Sequence, residues 1–203
     1  MCVREFVETL HNERLVAILR ESEAAVALEL GERLLTAGVR LIEVSLVTPG
    51  ALDVIAKLVE LSRDFPGSLI GAGTVLDVAG VEDAANAGGR FVLSPVFDRG
   101  VISAAKDYGL AVVPGCATPT EMFEATRLGA DAVKIFPASA WSPASLKDLL
   151  QPLPRLRCLP TGGISRECVP DWLKAGAEGI GLGGIMRGLA VAGIRELAAA
   201  MRR

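Results

Sequence analysis

The sequence predicts an α/β protein, a single (β/α)8 TIM barrel over residues 1–203, and three observations carry that reading. Short β-prone runs alternate with helical stretches rich in Ala, Leu and Glu along the whole chain. Most helical stretches close on a glycine before the next strand, in TAGVR, NAGGR, DYGLA, RLGAD and KAGAE, which suits a left-handed cap. The unit comes round eight times in 203 residues, at intervals of roughly 20–25 residues, the repeat of a compact barrel.

Taken in order, the chain opens with MCVREFVETLHNERL, charged and amphipathic where a signal peptide would be uninterruptedly apolar. Strand runs are predicted at 15–19, 40–46, 68–72, 90–93, 111–113, 132–136, 157–159 and 179–182. Helical patterns fall between them, including 23–36, 51–63, 78–86 and 99–108. A doubly wound sheet is the structural rival, but the units are nearly even and no G-x-G-x-x-G follows the first strand. There is no linker or low-complexity segment. One domain is expected.

Composition narrows the function. The chain is 51% apolar and 22% charged, with a net charge of -3 and no basic stripe, so nucleic acid has little electrostatic reason to bind. Aromatics make up only 4%, too few for base-stacking platforms. No run of 18 apolar residues is present, so no membrane span is expected; together with the N-terminus unlike a signal peptide, a cytoplasmic location is the expectation. Cys2, Cys116, Cys158 and Cys168 show no C-x-x-C spacing and His11 is the single histidine, so no metal site is expected; free buried thiols are. His11 is read as a surface residue.

Active sites of such barrels lie at the C-terminal ends of the strands, so polar residues in or after the apolar runs carry the functional information. Lysine is scarce: Lys57, Lys106, Lys134, Lys147 and Lys174. Only Lys134 interrupts an apolar strand, Ala132-Val133-Lys134-Ile135-Phe136. If Val133 and Ile135 face the helices, Lys134 points inward. Burial of an ammonium favours the neutral amine, which attacks carbonyls. Position alone equally admits a salt-bridged lysine or a phosphate ligand. The same parity turns Glu43 inward in Leu41-Ile42-Glu43-Val44-Ser45, offering a carboxylate for proton transfer, with a structural Lys134–Glu43 ion pair as the plainer alternative. Arg20 closes the first strand, Thr74 follows the third, Thr161-Gly162-Gly163 opens the loop after the seventh and Gly183-Gly184 ends the eighth. Paired glycines at those two strand ends expose N–H groups suited to phosphate, although a tight turn explains either pair alone.

These segments resemble the KDPG/KHG aldolase family: GVRLIEVSL, IGAGTVLD, FVLSP, VVPGCATPTE, AVKIFPAS and PTGGIS, covering nearly the whole chain. The resemblance implies a class I aldolase without metal or organic cofactor. Its substrate would be a 2-keto-3-deoxy-6-phospho sugar acid or 4-hydroxy-2-oxoglutarate. The products would be pyruvate and an aldehyde, glyceraldehyde 3-phosphate or glyoxylate. Lys134 would be the Schiff-base lysine and Glu43 the general acid/base. Thr74 would hold the substrate carboxylate or adjacent oxygens, and Pro95 and Phe136 would wall the pocket. Gly163, Gly183 and Gly184 would meet the phosphate, with Thr161 and Gly162 beside them. A homotrimer is implied as well.

Two departures bear on the substrate. Gluconate-type sequences carry arginine four residues after the glutamate, where this chain has Val47. VAILR, PGCATPTE and KIFPASAWSP are closer to the galactonate branch, in which an arginine at the Arg20 position contacts substrate. A serine frequent at the eighth-strand phosphate site is replaced by Gly184 and Ile185. Two other outcomes stay open at this stage: a pyruvate-imine enzyme such as an oxaloacetate decarboxylase, and a non-catalytic sugar-acid-phosphate binding protein.

Overall fold

The computed structural model describes residues 2–202. Among the described residues, nine strands, all paired in parallel, curl into two hydrogen-bonded pieces flanked by ten α-helices. Helix α1 (Cys2–Glu13) precedes β1 (Leu15–Leu19). Then come α2 (Ala24–Thr36), β2 (Leu41–Ser45), α3 (Ala51–Leu61), β3 (Leu69–Gly73), α4 (Val78–Asn86), β4 (Phe91–Leu93) and α5 (Arg99–Asp107). The second part runs β5 (Ala111–Val113), β6 (Gly115–Cys116), α6 (Pro119–Arg127), β7 (Val133–Ile135), α7 (Pro143–Leu150), β8 (Cys158–Pro160), α8 (Val169–Lys174), β9 (Ile180–Leu182), α9 (Gly184–Arg187) and α10 (Val191–Met201).

The helix stops are those the sequence signals. Gly38, Gly88, Gly109, Gly129 and Gly176 all take positive φ, 85° at Gly38 and 108° at Gly176. Starts are side-chain capped: Asp77 accepts from Gly80 N–H, Asp98 from Val101 N–H, and Thr118 with Glu121 makes a reciprocal box before Pro119. The backbone N–H groups of Ala117 and Thr118 hold the Glu121 carboxyl below its ordinary range.

Hydrogen bonding divides the strands into two pieces, β5-β4-β3-β2-β1-β9 and β6-β7-β8, rather than one continuous eight-strand ring. The run predicted at 111–113 ends at Pro114, which has no N–H to give the ladder, and the chain resumes as β6 in the other piece. The pieces meet where Pro114 O accepts from Lys134 N–H at 2.9 Å and where Thr161 bridges Gly181.

Side-chain parity separates two apolar layers. Ile42, Val44, Val133 and Ile135 pack toward the helices in the larger one. Val16, Leu41, Phe91 and Leu159 fill the concave face, closed from below by Phe6 and Leu10 of α1. The Phe6 and Phe91 rings stand 5.0 Å apart at 40°. Each fully buried side chain of this kind contributes about 1.5–3 kcal/mol. The concave face is therefore apolar in the first halves of the strands and polar at their C-terminal ends, where Glu43, Ser45, Lys134 and Thr161 are all buried.

Free thiols occur at Cys116, Cys158 and Cys168, but only the first two are buried. Cys168 is exposed because it starts the turn into α8 rather than lying in a strand, which corrects the expectation of buried thiols. The Cys2 side chain falls outside the described residues. Burial pushes the Cys116 and Cys158 thiols up to about 12, so neither is a thiolate at neutral pH. His11 is about half exposed and its Nδ1 lies 2.7 Å from Glu178. Among the described residues, no helix is long and apolar enough to cross a membrane, and no cluster of His, Cys, Asp or Glu could hold a metal ion.

Candidate active site

A cavity of about 340 Å³ opens at the C-terminal ends of β1, β7, β8 and β9. Arg20, Lys134, Phe136, Thr161, Gly162, Gly163, Gly183 and Gly184 all line it. Eight of the eleven side chains or glycines expected at the site thus share one hollow. The strands that carry them are far apart in sequence.

At its base, Lys134 is 3% exposed and Glu43 0%. Their Nζ and Oε1 atoms are 3.9 Å apart, too far for a hydrogen bond. Neither Glu43 carboxylate oxygen has a hydrogen-bond partner among the described residues. Desolvation pushes the Glu43 carboxyl above the ordinary carboxylate range, opposed by the charges of Lys134 and Arg20. An ion pair at this distance returns only about 4 kcal/mol at an effective dielectric near 20, against a desolvation penalty of several kcal/mol per ion. As a stabilising salt bridge the arrangement is poor. As an amine beside a carboxyl with free lone pairs it is ready for chemistry.

Glycines make the room. A Cβ on Gly73 would sit 1.7 Å from Glu43 Oε1, and one on Gly181 would sit 2.2 Å from Thr161 Oγ1. Phe136 lies between the amine and the glycine turn: Lys134 Nζ is 5.0 Å from its ring centroid, and a Cβ on Gly162 would be 3.3 Å from its edge. The Phe136–Pro137 peptide is cis.

Thr74 is joined to the site through hydroxyl and guanidinium contacts. Its backbone is left-handed, φ 60°, uncommon for a β-branched residue. Its Oγ1 is 2.7 Å from Ser45 Oγ and accepts from Arg20 Nη2 at 3.5 Å. Ser45 follows Glu43 by two residues, so the same parity turned it inward, yet sequence reasoning passed over it. It also missed Gly73, whose value lies in a contact with Glu43 made across the β2–β3 pair.

A family model described as KDPG and KHG aldolase matches residues 6–193. The chain belongs to the KDPG and KHG aldolase family. It is 39% identical over 170 residues to 2-dehydro-3-deoxy-6-phosphogalactonate aldolase of Escherichia coli K12, covering 83% of this chain and 82% of the relative. A native KDPGal structure superposes with a TM-score of 0.82 at 37% identity, covering 92% of this chain and 91% of the other. A KDPG aldolase from Legionella pneumophila, with pyruvate captured at low pH as a covalent carbinolamine intermediate, superposes with a TM-score of 0.83 at 29% identity, covering 97% and 98%.

Of the eleven expected residues, Glu43, Thr74 and Pro95 are not among those that line the cavity; Glu43 adjoins it through Lys134 and Thr74 through Arg20. Val47, which replaces the gluconate-type arginine, is 60% exposed and does not line the cavity. Pro95 does not line it either: the loop after β4 folds over the β5–β6 junction, and a Cβ on Gly115 would be 2.3 Å from the Pro95 carbonyl. Gly184 has no heavy atom within 4 Å of a would-be Cβ, so the missing serine leaves open space.

Proposed function

We propose that this chain is a class I aldolase that cleaves a 2-keto-3-deoxy-6-phospho sugar acid to pyruvate and an aldehyde through a Schiff base on Lys134. The observation that carries the reading is the buried amine of Lys134, 3.9 Å from a Glu43 carboxyl with both oxygens unpartnered. The covalent pyruvate intermediate in the Legionella relative supports the same class of chemistry.

The Lys134 amine adds to the C2 carbonyl, giving a carbinolamine that loses water to form a protonated imine. That cation is the electron sink. Glu43 takes the C4 hydroxyl proton, the C3–C4 bond breaks, and its electron pair moves into the imine to give an enamine and the free aldehyde. Glu43 then returns a proton to C3, and hydrolysis of the new imine releases pyruvate. A carboxyl that burial raises above the ordinary carboxylate range suits a group that must both take and give a proton. With the imine as electron sink, the sequence requires no resident metal or organic cofactor.

Arg20 and Thr74 hold the substrate carboxylate and adjacent oxygens, in place of the arginine absent at Val47; their 3.5 Å contact supports this. Thr161 and the N–H groups of Gly162, Gly163, Gly183 and Gly184 receive the phosphate, while Phe136 walls the amine side. Pro95, packed over Gly115 at the β5–β6 junction, would wall the pocket only from behind the residues that line it. Arg20 and the identity to the Escherichia coli relative favour the galactonate configuration. We further propose one domain over 1–203 in which the two sheets complete a (β/α)8 barrel, supported by the Lys134–Pro114 hydrogen bond and the Thr161–Gly181 bridge. A cytoplasmic homotrimer acting in carbohydrate metabolism fits this chemistry; exposed Val47, Leu76 and Val96 after β2, β3 and β4, with Val78 at the start of α4, offer an apolar contact surface.

Borohydride reduction in the presence of pyruvate tests the central claim. A stable adduct on the Lys134 peptide is expected; absence of any adduct overturns the Schiff base. Cleavage assays on gluconate- and galactonate-type acids, with and without the 6-phosphate, and on 4-hydroxy-2-oxoglutarate and oxaloacetate, assign the substrate.

A further inference from the structure

Arg20 and the Gly183–Gly184 turn wall the same cavity but belong to different segments, the end of β1 and the start of α9. The β1–β9 ladder ends at the pair Ala17–Leu182, so backbone pairing does not reach either of them. Helix α9 has four residues, of which Met186 is the buried one, and a single turn does not hold itself in place.

Arginine side chains make the connection instead. Arg187, the last residue of α9, grips both carboxylate oxygens of Glu21, with Nε 3.2 Å from Oε1 and Nη2 2.9 Å from Oε2. The same Nη2 donates to the carbonyl oxygen of Arg20 at 3.1 Å. Glu21 is itself fixed: its side chain is 6% exposed, and its N–H donates to Thr48 Oγ1 at 3.2 Å. Arg33 of α2 adds a second tie by donating to Leu189 O, just beyond α9.

The bidentate fork is geometrically demanding, so it fixes separation as well as charge. We propose that Arg187 is a positioning residue which, through Glu21, holds Arg20 at a set distance from the Gly183–Gly184 turn and so makes the cavity select a ligand long enough to engage both. The selected class is a 2-keto acid with a terminal phosphate, which rests on the function proposed above. Arg187 touches no reacting atom. Its own side chain is 61% exposed but that of Glu21 only 6%, so losing either partner costs some stability too, and the clamp is read from the difference between the two substrates.

The test is a double-mutant cycle on the full chain with Arg187→Met, Glu21→Gln and the double variant. Each is assayed with the phosphorylated acid that the wild type cleaves best and with its dephosphorylated form, alongside thermal melting. Expected for either single variant is a rise in KM for the phosphorylated acid of about tenfold, kcat within about twofold, little change for the dephosphorylated acid and at most a modest fall in melting temperature. The double variant should match either single one, because the two side chains act as one clamp. Additive losses, equal losses on both substrates, or an effect of Arg187→Met that Glu21→Gln does not share would overturn the clamp. A wild type inactive on both acids overturns the proposed function instead. The clamp is then read from the melting shift that the phosphorylated acid induces, which must shrink equally in all three variants for the proposal to stand.

Discussion

Gly73→Ala tests the active-site geometry with a single methyl group. Gly73 ends β3 beside Glu43, and its backbone is not in the left-handed region, so alanine brings no backbone strain of its own. The new Cβ would stand 1.7 Å from Glu43 Oε1, 2.3 Å from Cδ and 2.5 Å from Cγ. Ordinary contact needs about 3.5 Å, so the carboxyl must retreat by roughly 1.8 Å in a fully buried site. Misplacing a reacting group by about 1 Å can cost on the order of 100-fold, and loss of general acid/base catalysis costs about 100- to 10,000-fold. A fall in kcat of about 100- to 1,000-fold is therefore expected in a coupled pyruvate-release assay. Overpacking adds a stability loss of about 1–3 kcal/mol, visible in melting. Lys134 keeps its amine, so the borohydride-stable pyruvate adduct still forms on long incubation. Glu43→Asp, shorter by one methylene, serves as the second background. Adding Gly73→Ala to it should cost much less than adding it to the wild type. A folded Gly73→Ala protein with kcat within about threefold of wild type would refute the claim that Glu43 must occupy its present place.

Glu43→Gln should lower kcat by about 100- to 10,000-fold. Because burial raises the folded-state pKa of Glu43, the folded wild type holds that proton more tightly than the unfolded chain, and its stability declines as pH rises past the ordinary carboxylate range. The melting advantage of Glu43→Gln should therefore grow from pH 4 to pH 7.5; an advantage that shrinks over that range contradicts the sign. Ser45→Ala removes the 2.7 Å partner of Thr74, so a stability loss of about 1 kcal/mol and a raised KM for the 2-keto acid are expected, measured by melting and steady-state kinetics. Gly184→Ser enters open space and should leave melting unchanged while lowering KM for phosphorylated substrates. Gly163→Ala should destabilise instead, since that residue has φ 77° and a Cβ there would lie 2.9 Å from Ser139 Cβ. Equal melting of these two variants would show that the turn geometry is misread.

Much of the site was legible because strand periodicity is a local property. The inward turn of Lys134 and Glu43 follows from apolar neighbours on either side, and Val133, Ile135, Ile42 and Val44 do pack against the helices. Arg20, Thr161 and the glycine pairs were placed by position at strand ends. Helix stops at Gly38 or Gly176 were equally local, since only glycine takes that conformation without strain. That Pro95 packs over Gly115 was not legible, because the path of a loop depends on what it packs over and no period in the sequence encodes that.

What the sequence determined by itself was therefore the alternation of elements, the face each strand residue takes, and the amine and carboxyl that meet inside. Tertiary structure decided the distances and the partners. The 3.9 Å separation that leaves Glu43 without a hydrogen bond, the space Gly73 leaves for it, the Ser45–Thr74–Arg20 chain of contacts and the Arg187–Glu21 clamp all join residues from different strands or loops. Periodicity reports which way a side chain points. It is silent on what stands opposite, because that depends on how separate segments pack together.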